Sequence, residues 1–401
     1  MGKRLLIAGA GIGGMAAALA GAKAGWEVQL MERASIFSEI GAGIQIGPNV
    51  TRLLYRWGLQ HAVDAVAAFP QRLQVRDALS ARELGVLTLG VSIQQRYGAP
   101  YAAIHRADLH ALLHNAVARH SGTTLLLNQD LQQFGQARNT VTVRSASMEQ
   151  YEGDALVGAD GLWSPVRQWL LGDSPPRPTG HLAYRALVRQ ADLPAALRSQ
   201  QVTAWLGPRL HAIQYPVRGG DWLNLVAFVQ GQLPGQPTHL DHWDHSANAA
   251  DLRVHLAQVC TPLQDMLHAV NAWRLWVLYD RPPMQGPHQH AQGRVALLGD
   301  AAHPMRPYLA QGAGMAIEDA ATLGQVLEHS TDIPAALAHY AQQRWQRNAR
   351  VQARSLRNGK IFHAQGLLRW ARNRAMQLGG ERLMDLPWLY GGGLTPQIAT
   401  K

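Results

Sequence analysis

Three glycines in G-x-G-x-x-G spacing, Gly9, Gly11 and Gly14, stand between the apolar run "LLIA" and the small-residue run "MAAALAGAKAG". A carboxylate, Glu32, closes the next apolar run, "EVQLME", about 20 residues on. This spacing suits the grip on a pyrophosphate. Gly9 permits a tight turn, Gly11 lets phosphates approach the backbone, and Gly14 lets a helix pack on a strand. The helix start adds unpaired N–H groups and a partial positive charge. Glu32 takes ribose hydroxyls in such a site; without the glycines it would read as an ordinary strand-end acid. Arg33, next to it, admits a phosphorylated ribose.

A second turn of this kind lies in "GRVALLGDAAHPMRPYLAQGAGMAIEDAATLGQVL", residues 293 to 327. A strand over 294–298 ends in Gly299-Asp300, a loop with Pro304 and Pro307 follows, and a helix then opens with Gly312, Ala313 and Gly314. Glycine in a helix costs about 1 kcal/mol relative to alanine. A chain accepts that where a ligand must come close to the backbone. Two such helix starts at opposite ends of the chain fit one elongated cofactor. The first takes the pyrophosphate, Asp300 hydrogen-bonds a polyol, and the second faces a ring that becomes anionic on reduction. FAD has these parts, whereas NAD lacks the polyol and such a ring. The inference requires the two segments to meet in space.

Between them, "YEGDALVGADGLWSPVR" predicts a strand from Tyr151 to Val157, a turn at Asp160-Gly161, and a short helix capped by Ser164 that contains Arg167. "IHRADLHALLHNAV" predicts a helix with Arg106 near its start. The helix dipole disfavours a cation there, so Arg106 either reaches an anion or is a surface residue. From about 176 to 280, strand-like runs alternate with turns rich in Gly, Pro and Asp. In "RLHAIQYPV", His211, Ile213 and Tyr215 share one face. They would line a polar-tipped pocket, or point to solvent from a half-buried strand. Arg185, Arg209 and Arg281 are unranked partners for a substrate carboxylate. His303 reads as structural, and His288 and His290 as a solvent loop, with no metal site expected.

The elements that must position these groups predict an α/β fold. A Rossmann-like FAD-binding domain (1–70, 102–175 and 281–335) holds an inserted antiparallel-sheet substrate domain (71–101 and 176–280), followed by a C-terminal helical region (336–401). With 401 residues, 47% hydrophobic and 16% charged, the chain reads as a globular enzyme. The net charge of +10 sits partly on Arg344, Arg347, Arg350, Arg354, Arg357 and Lys360, whose spacing predicts a solvated helix face. No nucleic-acid motif and no membrane segment are found. A single cysteine, Cys260, points to a reducing compartment and a cytoplasmic protein.

Taken together, Gly9-x-Gly11-x-x-Gly14, "GADG" around Asp160 and "LLGDAAHP" around Asp300 resemble the single-component flavoprotein aromatic hydroxylases, a group that includes p-hydroxybenzoate hydroxylase. "GAGIQIGPN" (41–49), "LYDRPP" (278–283), "YLAQGAGMAIEDA" (308–320) and "WLYG" (388–391) are similar to the 3-hydroxybenzoate 6-hydroxylases, salicylate hydroxylases and 6-hydroxynicotinate 3-monooxygenases. Pro307 departs from the glutamine that the first of these commonly carry, and Tyr308 from the histidine of the last. The resemblance implies FAD as cofactor, NADH or NADPH as cosubstrate with no second Rossmann unit to hold it, O2, and a small hydroxylated aromatic acid. It implies hydroxylation through a flavin C4a-hydroperoxide, with decarboxylating 6-hydroxynicotinate chemistry as the alternative, by a monomer or homodimer. Glu32 would bind the adenosine ribose, Arg106 the pyrophosphate, and Asp300 the ribityl chain or pyrophosphate. Asp160 and Arg167 would support the cofactor, and Gln45 would lie in a mobile loop beside the flavin. Pro307 and Gly312, Ala313 and Gly314 would sit by the ring. His211 would be the base and Tyr215 would orient the substrate. A nicotinamide dehydrogenase would use only the first turn, and a non-catalytic flavin protein would use both.

Overall fold

In the computed structural model, residues 2–37, 42–231, 245–247, 252–254 and 256–392 are described. Strands Arg4–Ala8, Glu27–Met31, Thr123–Leu126, Ala155–Gly158 and Val295–Leu297 form a parallel sheet, with Ala291–Gln292 antiparallel at its edge. Arg4–Ala8 lies at its centre, between Glu27–Met31 and Ala155–Gly158. It is apolar because both faces of such a sheet are covered. The predicted strand from Tyr151 to Val157 is in fact two. Gln150–Gly153 joins a three-stranded antiparallel sheet, and Ala155–Gly158 joins the parallel one. Asp154 sits at the break, where its carboxylate accepts the Arg4 N–H at 2.7 Å.

The second large sheet has eight strands. Its centre is Arg177–Arg189, Trp222–Gln230 and Leu210–Val217, antiparallel throughout. Val202–Gly207, Arg72–Asp77 and Glu83–Thr88 extend it on one side, and Trp273–Asp280 and 245–247 on the other. Side-chain alternation gives this sheet two characters. Leu182, Tyr184, Leu223, Leu225, Leu210 and Ala212 pack in one core with the helix Thr261–His268. The opposite face turns Ala183, Arg185, His211, Ile213, Tyr215, Asn224, Val226 and Phe228 toward the parallel sheet's loops.

Beyond the helix Gly312–Glu328 runs a 30-residue helix, Ile333–Phe362, capped by Asp332, which accepts the Ala335 N–H at 3.1 Å. Two of its arginines correct the solvated-face expectation, whereas Arg350, Arg357 and Lys360 are exposed as expected. Arg344 is 4% exposed and pairs with Glu318 (3.0 Å) and Asp319 (2.7 Å), and Arg347 pairs with Glu318 at 2.6 Å. The three-to-four spacing alone predicts a solvated face because nothing local marks Glu318 and Asp319 as waiting partners. Among the described residues no helix is long and apolar enough to cross a membrane.

Candidate active site

The two glycine turns meet. Helix Ile12–Lys23 packs along helix Gly312–Glu328 with their first turns side by side. A Cβ on Gly13 would stand 2.9 Å from the Leu298 side chain and 3.3 Å from the Ala316 Cβ, and one on Gly299 would stand 3.1 Å from the same Ala316 atom. The glycines divide their work. Gly9 has φ +92, and Gly14 would place a Cβ 1.8 Å from the Gly9 carbonyl oxygen, so both are needed for the turn itself. A Cβ on Gly11 meets nothing within 4 Å. Gly312 is open likewise, its nearest neighbour being Asp300 Oδ1 at 3.9 Å, whereas Gly314 packs against Gln311 and Val50. Two backbone surfaces, at Gly11 and Gly312, are therefore left bare for a ligand.

Around them stand the predicted polar groups. Glu32 accepts the Ala10 N–H (2.7 Å) and the Ala34 N–H (3.0 Å), tying its strand end to the glycine turn. Arg33 is exposed and acts electrostatically on Asp160. Asp160 accepts the Val166 N–H at 3.1 Å, while its Oδ1 is sealed without a partner among the described residues. Burial pushes this carboxyl up to about 6, against the hydrogen bonds it accepts. Arg167 donates to the carbonyls of Ala301 (3.1 Å) and Ala302 (2.6 Å), so it fixes the turn that carries Asp300. Asp300 is exposed to solvent, with protein packed densely around it. That desolvation raises its carboxyl, with Arg106 and His303 opposing. Arg106 opens the helix Arg106–Val117, is exposed, and has no side-chain hydrogen bond or ion pair among the described residues.

Behind the turn His303 is buried, with Nε2 2.5 Å from Asp319 Oδ2. His290 corrects the solvent-loop expectation. It is fully buried, bonded to the Leu297 carbonyl (2.9 Å) and to Asn348 (2.9 Å). His290, His303 and Asp319 come close enough to suggest a metal. Arg344 and Asn348 already occupy Asp319 Oδ1, at 2.7 and 2.9 Å, and both His290 nitrogens and His303 Nε2 are hydrogen-bonded, while buried His303 Nδ1 has no partner among the described residues.

The other side of the eight-stranded sheet carries the residues expected to line a substrate pocket. His211 pairs across strands with Phe228, and Tyr215 with Asn224. The Tyr215 hydroxyl donates to the Gly43 carbonyl (2.5 Å), and Gly43 N–H donates to Asn224 Oδ1 (2.7 Å). Gly43–Ile46 is thus a strand bolted to this sheet and paired with Ala102–His105, where a mobile loop was expected; residue 41 lies outside the described residues. Gln45 in it accepts the Tyr101 hydroxyl at 2.6 Å. Pro307 starts a short turn, Pro307–Leu309, that presents Tyr308 to the same face. Of the three candidate arginines, Arg281 is occupied by Asp173 (3.1 Å) and the Ser174 carbonyl, and Arg209 is exposed on a hairpin. Arg185 lies on the pocket face, over the Trp276 ring at 4.8 Å, its Nε sealed without a partner among the described residues. Burial lowers its pKa, with Tyr215 opposing and Arg106 adding.

The bare backbone at Gly11 and Gly312, with Asp300 between them on the cleft floor, fits an elongated cofactor of the FAD kind. Comparison with known proteins agrees. The family model described as "FAD binding domain" matches residues 3–355. The chain is 36% identical over 391 residues to 3-hydroxybenzoate 6-hydroxylase of Polaromonas naphthalenivorans (strain CJ2), covering 96% of this chain and 95% of that one. Klebsiella pneumoniae HpxO complexed with FAD and uric acid is similar with a TM-score of 0.84 at 26% identity, over 95% of this chain and 94% of that one. A salicylate hydroxylase substrate complex gives 0.82 at 26% identity, over 99% of each chain. The chain belongs to the FAD binding domain family and is an FAD-dependent aromatic-ring monooxygenase.

Proposed function

We propose that the chain hydroxylates a small aromatic ring bearing both a hydroxyl and a carboxylate, of the 3-hydroxybenzoate or salicylate type, using NADH or NADPH and O2. Arg185 is the observation that carries the substrate: a half-buried guanidinium on the pocket face with no carboxylate beside it among the described residues. Such a charge calls for an anion, and a carboxylate satisfies it bidentately. When bound, FAD supplies the two-electron redox chemistry and the activation of O2.

The chain's own residues do the rest. The start of helix Ile12–Lys23 and Arg106 hold the pyrophosphate, Glu32 and Arg33 border the adenosine ribose, and Asp300 takes the ribityl hydroxyls. Gly312, Ala313 and Gly314, with Pro307 and Gln45, border the ring, and Asp160 supports the cofactor turn through Val166. In this reading, residues 1–70, 102–175 and 281–335 hold the cofactor, 71–101 and 176–280 the substrate, and 336–401 brace both. His211 takes the phenol proton at Nε2, which has no protein partner among the described residues. Its position suits that role, and burial, which lowers its pKa well below the ordinary value, keeps the resting ring neutral and able to accept. Tyr215, whose proton is committed to Gly43, retains lone pairs for a substrate hydroxyl. Apolar walls from Ile213, Val226 and Phe228 exclude water. The reading places the protein in the cytoplasm as a monomer or homodimer, acting without nucleic acid or membrane.

The deciding experiment measures NADH and NADPH oxidation and O2 uptake over a panel of hydroxybenzoates and hydroxypyridine carboxylates, with products identified by mass and NMR. Stimulation by a hydroxybenzoate with one added oxygen supports the proposal. Turnover of a hydroxypyridine carboxylate with loss of CO2 moves the assignment to the 6-hydroxynicotinate type. Failure of every acid to stimulate oxidation sinks it.

A further inference from the structure

Three buried histidines from separate parts of the chain meet beside the proposed pocket. His211 comes from the strand Leu210–Val217, His181 from Arg177–Arg189, and His363 from the position that ends the helix Ile333–Phe362. His211 and His363 are each 4% exposed. His211 Nδ1 lies 2.7 Å from His363 Nε2. His363 stacks on His181 with centroids 4.8 Å apart and planes 10° from parallel, and His181 Nδ1 is 2.5 Å from the Tyr308 hydroxyl. Phe228 and Phe362 close the sides of His211. The backbone fixes the pair as well, because the Arg209 N–H at the hairpin donates to the His363 carbonyl at 3.2 Å.

Burial holds all three rings below their ordinary range, His363 at about 3 and His181 at about 4, so the resting pair is neutral. The other groups facing it are Arg306, which is paired with Asp280 at 2.6 Å, Arg372, which donates to the Ile361 and Phe362 carbonyls, and the Tyr308 hydroxyl. Two neutral imidazoles at hydrogen-bond distance share one N–H. A base that passes its far proton onward needs that arrangement.

We propose that His363 is the proton partner of His211 in the hydroxylation reaction, a role that rests on the reading of His211 as the base. The phenol O–H bond breaks as its proton goes to His211 Nε2, and the His211 Nδ1–H bond breaks as that proton goes to His363 Nε2. The products are the phenolate, a neutral His211 and the His363 imidazolium, with no change in oxidation state. Anion and cation form together, so the pocket gains no net charge. The charged hydrogen bond between the rings is stronger than the neutral one it replaces. A lone His211 would hold the cation without the charged hydrogen bond that the second ring supplies.

The test uses the oxidised, FAD-loaded enzyme, which binds the acid without turning it over, and follows the phenolate absorption of bound 3-hydroxybenzoate and of bound salicylate against pH. Flavin absorption reports that each variant is folded and loaded. His363→Phe is expected to cut the phenolate fraction at pH 7 by about tenfold or more and to displace the curve upward by about one pH unit or more. His363→Gln accepts the Nδ1–H but cannot take the proton, so it keeps the hydrogen bond to His211 without restoring the phenolate. A wild-type curve in His363→Phe, or restored phenolate in His363→Gln, overturns the transfer. His211→Phe separates the two claims. If it keeps the phenolate, the base assignment fails. If it loses the phenolate while His363→Phe keeps it, only the role of His363 fails. A wild type without phenolate at any pH overturns both.

Discussion

Replacing Gly11 by alanine puts one methyl group into the cofactor cleft and into nothing else. The backbone there, φ −67 and ψ −174, is open to any residue, and the new Cβ meets no protein atom within 4 Å. Alanine is worse than glycine at a helix N-cap by about 0.5–1 kcal/mol and loses less chain entropy on folding by about 0.4–1 kcal/mol. The two offset, so FAD-free stability should change by less than about 0.5 kcal/mol. With FAD present, the methyl holds the pyrophosphate off the backbone and removes at least one charge-assisted hydrogen bond, about 1.5–3 kcal/mol. That weakens FAD binding roughly 10- to 150-fold. At fixed excess FAD, mass action removes about the same energy from the loaded protein. Unfolding entropy is about 2.1 cal/mol/K per residue, roughly 0.8 kcal/mol/K for this chain, so the loaded Tm drops by about 2–4 °C while the FAD-free Tm barely moves. Flavin fluorescence titration and paired melts measure both. Gly14→Ala is the contrast: with its Cβ 1.8 Å from a carbonyl oxygen, the FAD-free fold itself should fail. Wild-type FAD affinity in Gly11→Ala would refute a pyrophosphate against this turn, and collapse of its FAD-free melt would refute the open geometry.

Three further outcomes are expected. Arg185→Met should raise KM for the aromatic acid about 30-fold or more while raising Tm in the absence of acid, because it removes an unpartnered charge; an unchanged KM refutes the carboxylate contact. Asp160, with its folded pKa near 6 against 3.8 for the ordinary group, keeps a proton that the unfolded chain has released. Its contribution to stability should therefore fall as pH rises from about 4 to 6 and stay level above, against the rise that the buried neutral histidines give over the same range, so Asp160→Asn should gain more stability from pH 4 to pH 7 than the wild type does; denaturant titrations of both proteins at pH 4 and pH 7 decide it, and identical pH slopes count against it. Arg344→Met leaves Asp319 and Glu318 short of a buried partner and should cost about 3–5 kcal/mol in denaturant unfolding; a loss under about 1 kcal/mol would mean that Arg347 and the neighbouring histidines suffice.

Much of the cofactor side was legible because its signals are local. A turn that needs positive φ demands glycine at Gly9 wherever the chain goes next, and Gly11 and Glu32 follow from it at fixed spacing. Strand alternation put His211 and Tyr215 on one face correctly for the same reason. What escaped depends on distant segments meeting. Arg344 looks like any surface arginine until helix Gly312–Glu328 brings Asp319 within 2.7 Å. His290 looks like a loop residue until Asn348 arrives from the long helix. His363 had no local mark at all, since only packing against strand Leu210–Val217 gives it a partner. Arg185 could not be ranked above Arg209 and Arg281 from sequence, because what distinguishes it is the lack of a partner in three dimensions.

The bonds from Tyr215 and Asn224 to Gly43 make two positions of the eight-stranded sheet serve as fasteners for the strand Gly43–Ile46. Ile213 and Val226, paired across the same two strands, carry no such duty. On the proposed function, altered ring specificity can therefore be sought at 213 and 226 without loosening the strand Gly43–Ile46. Changes at 215 or 224 alter both functions together, so a drift in substrate choice there arrives with a drift in coupling.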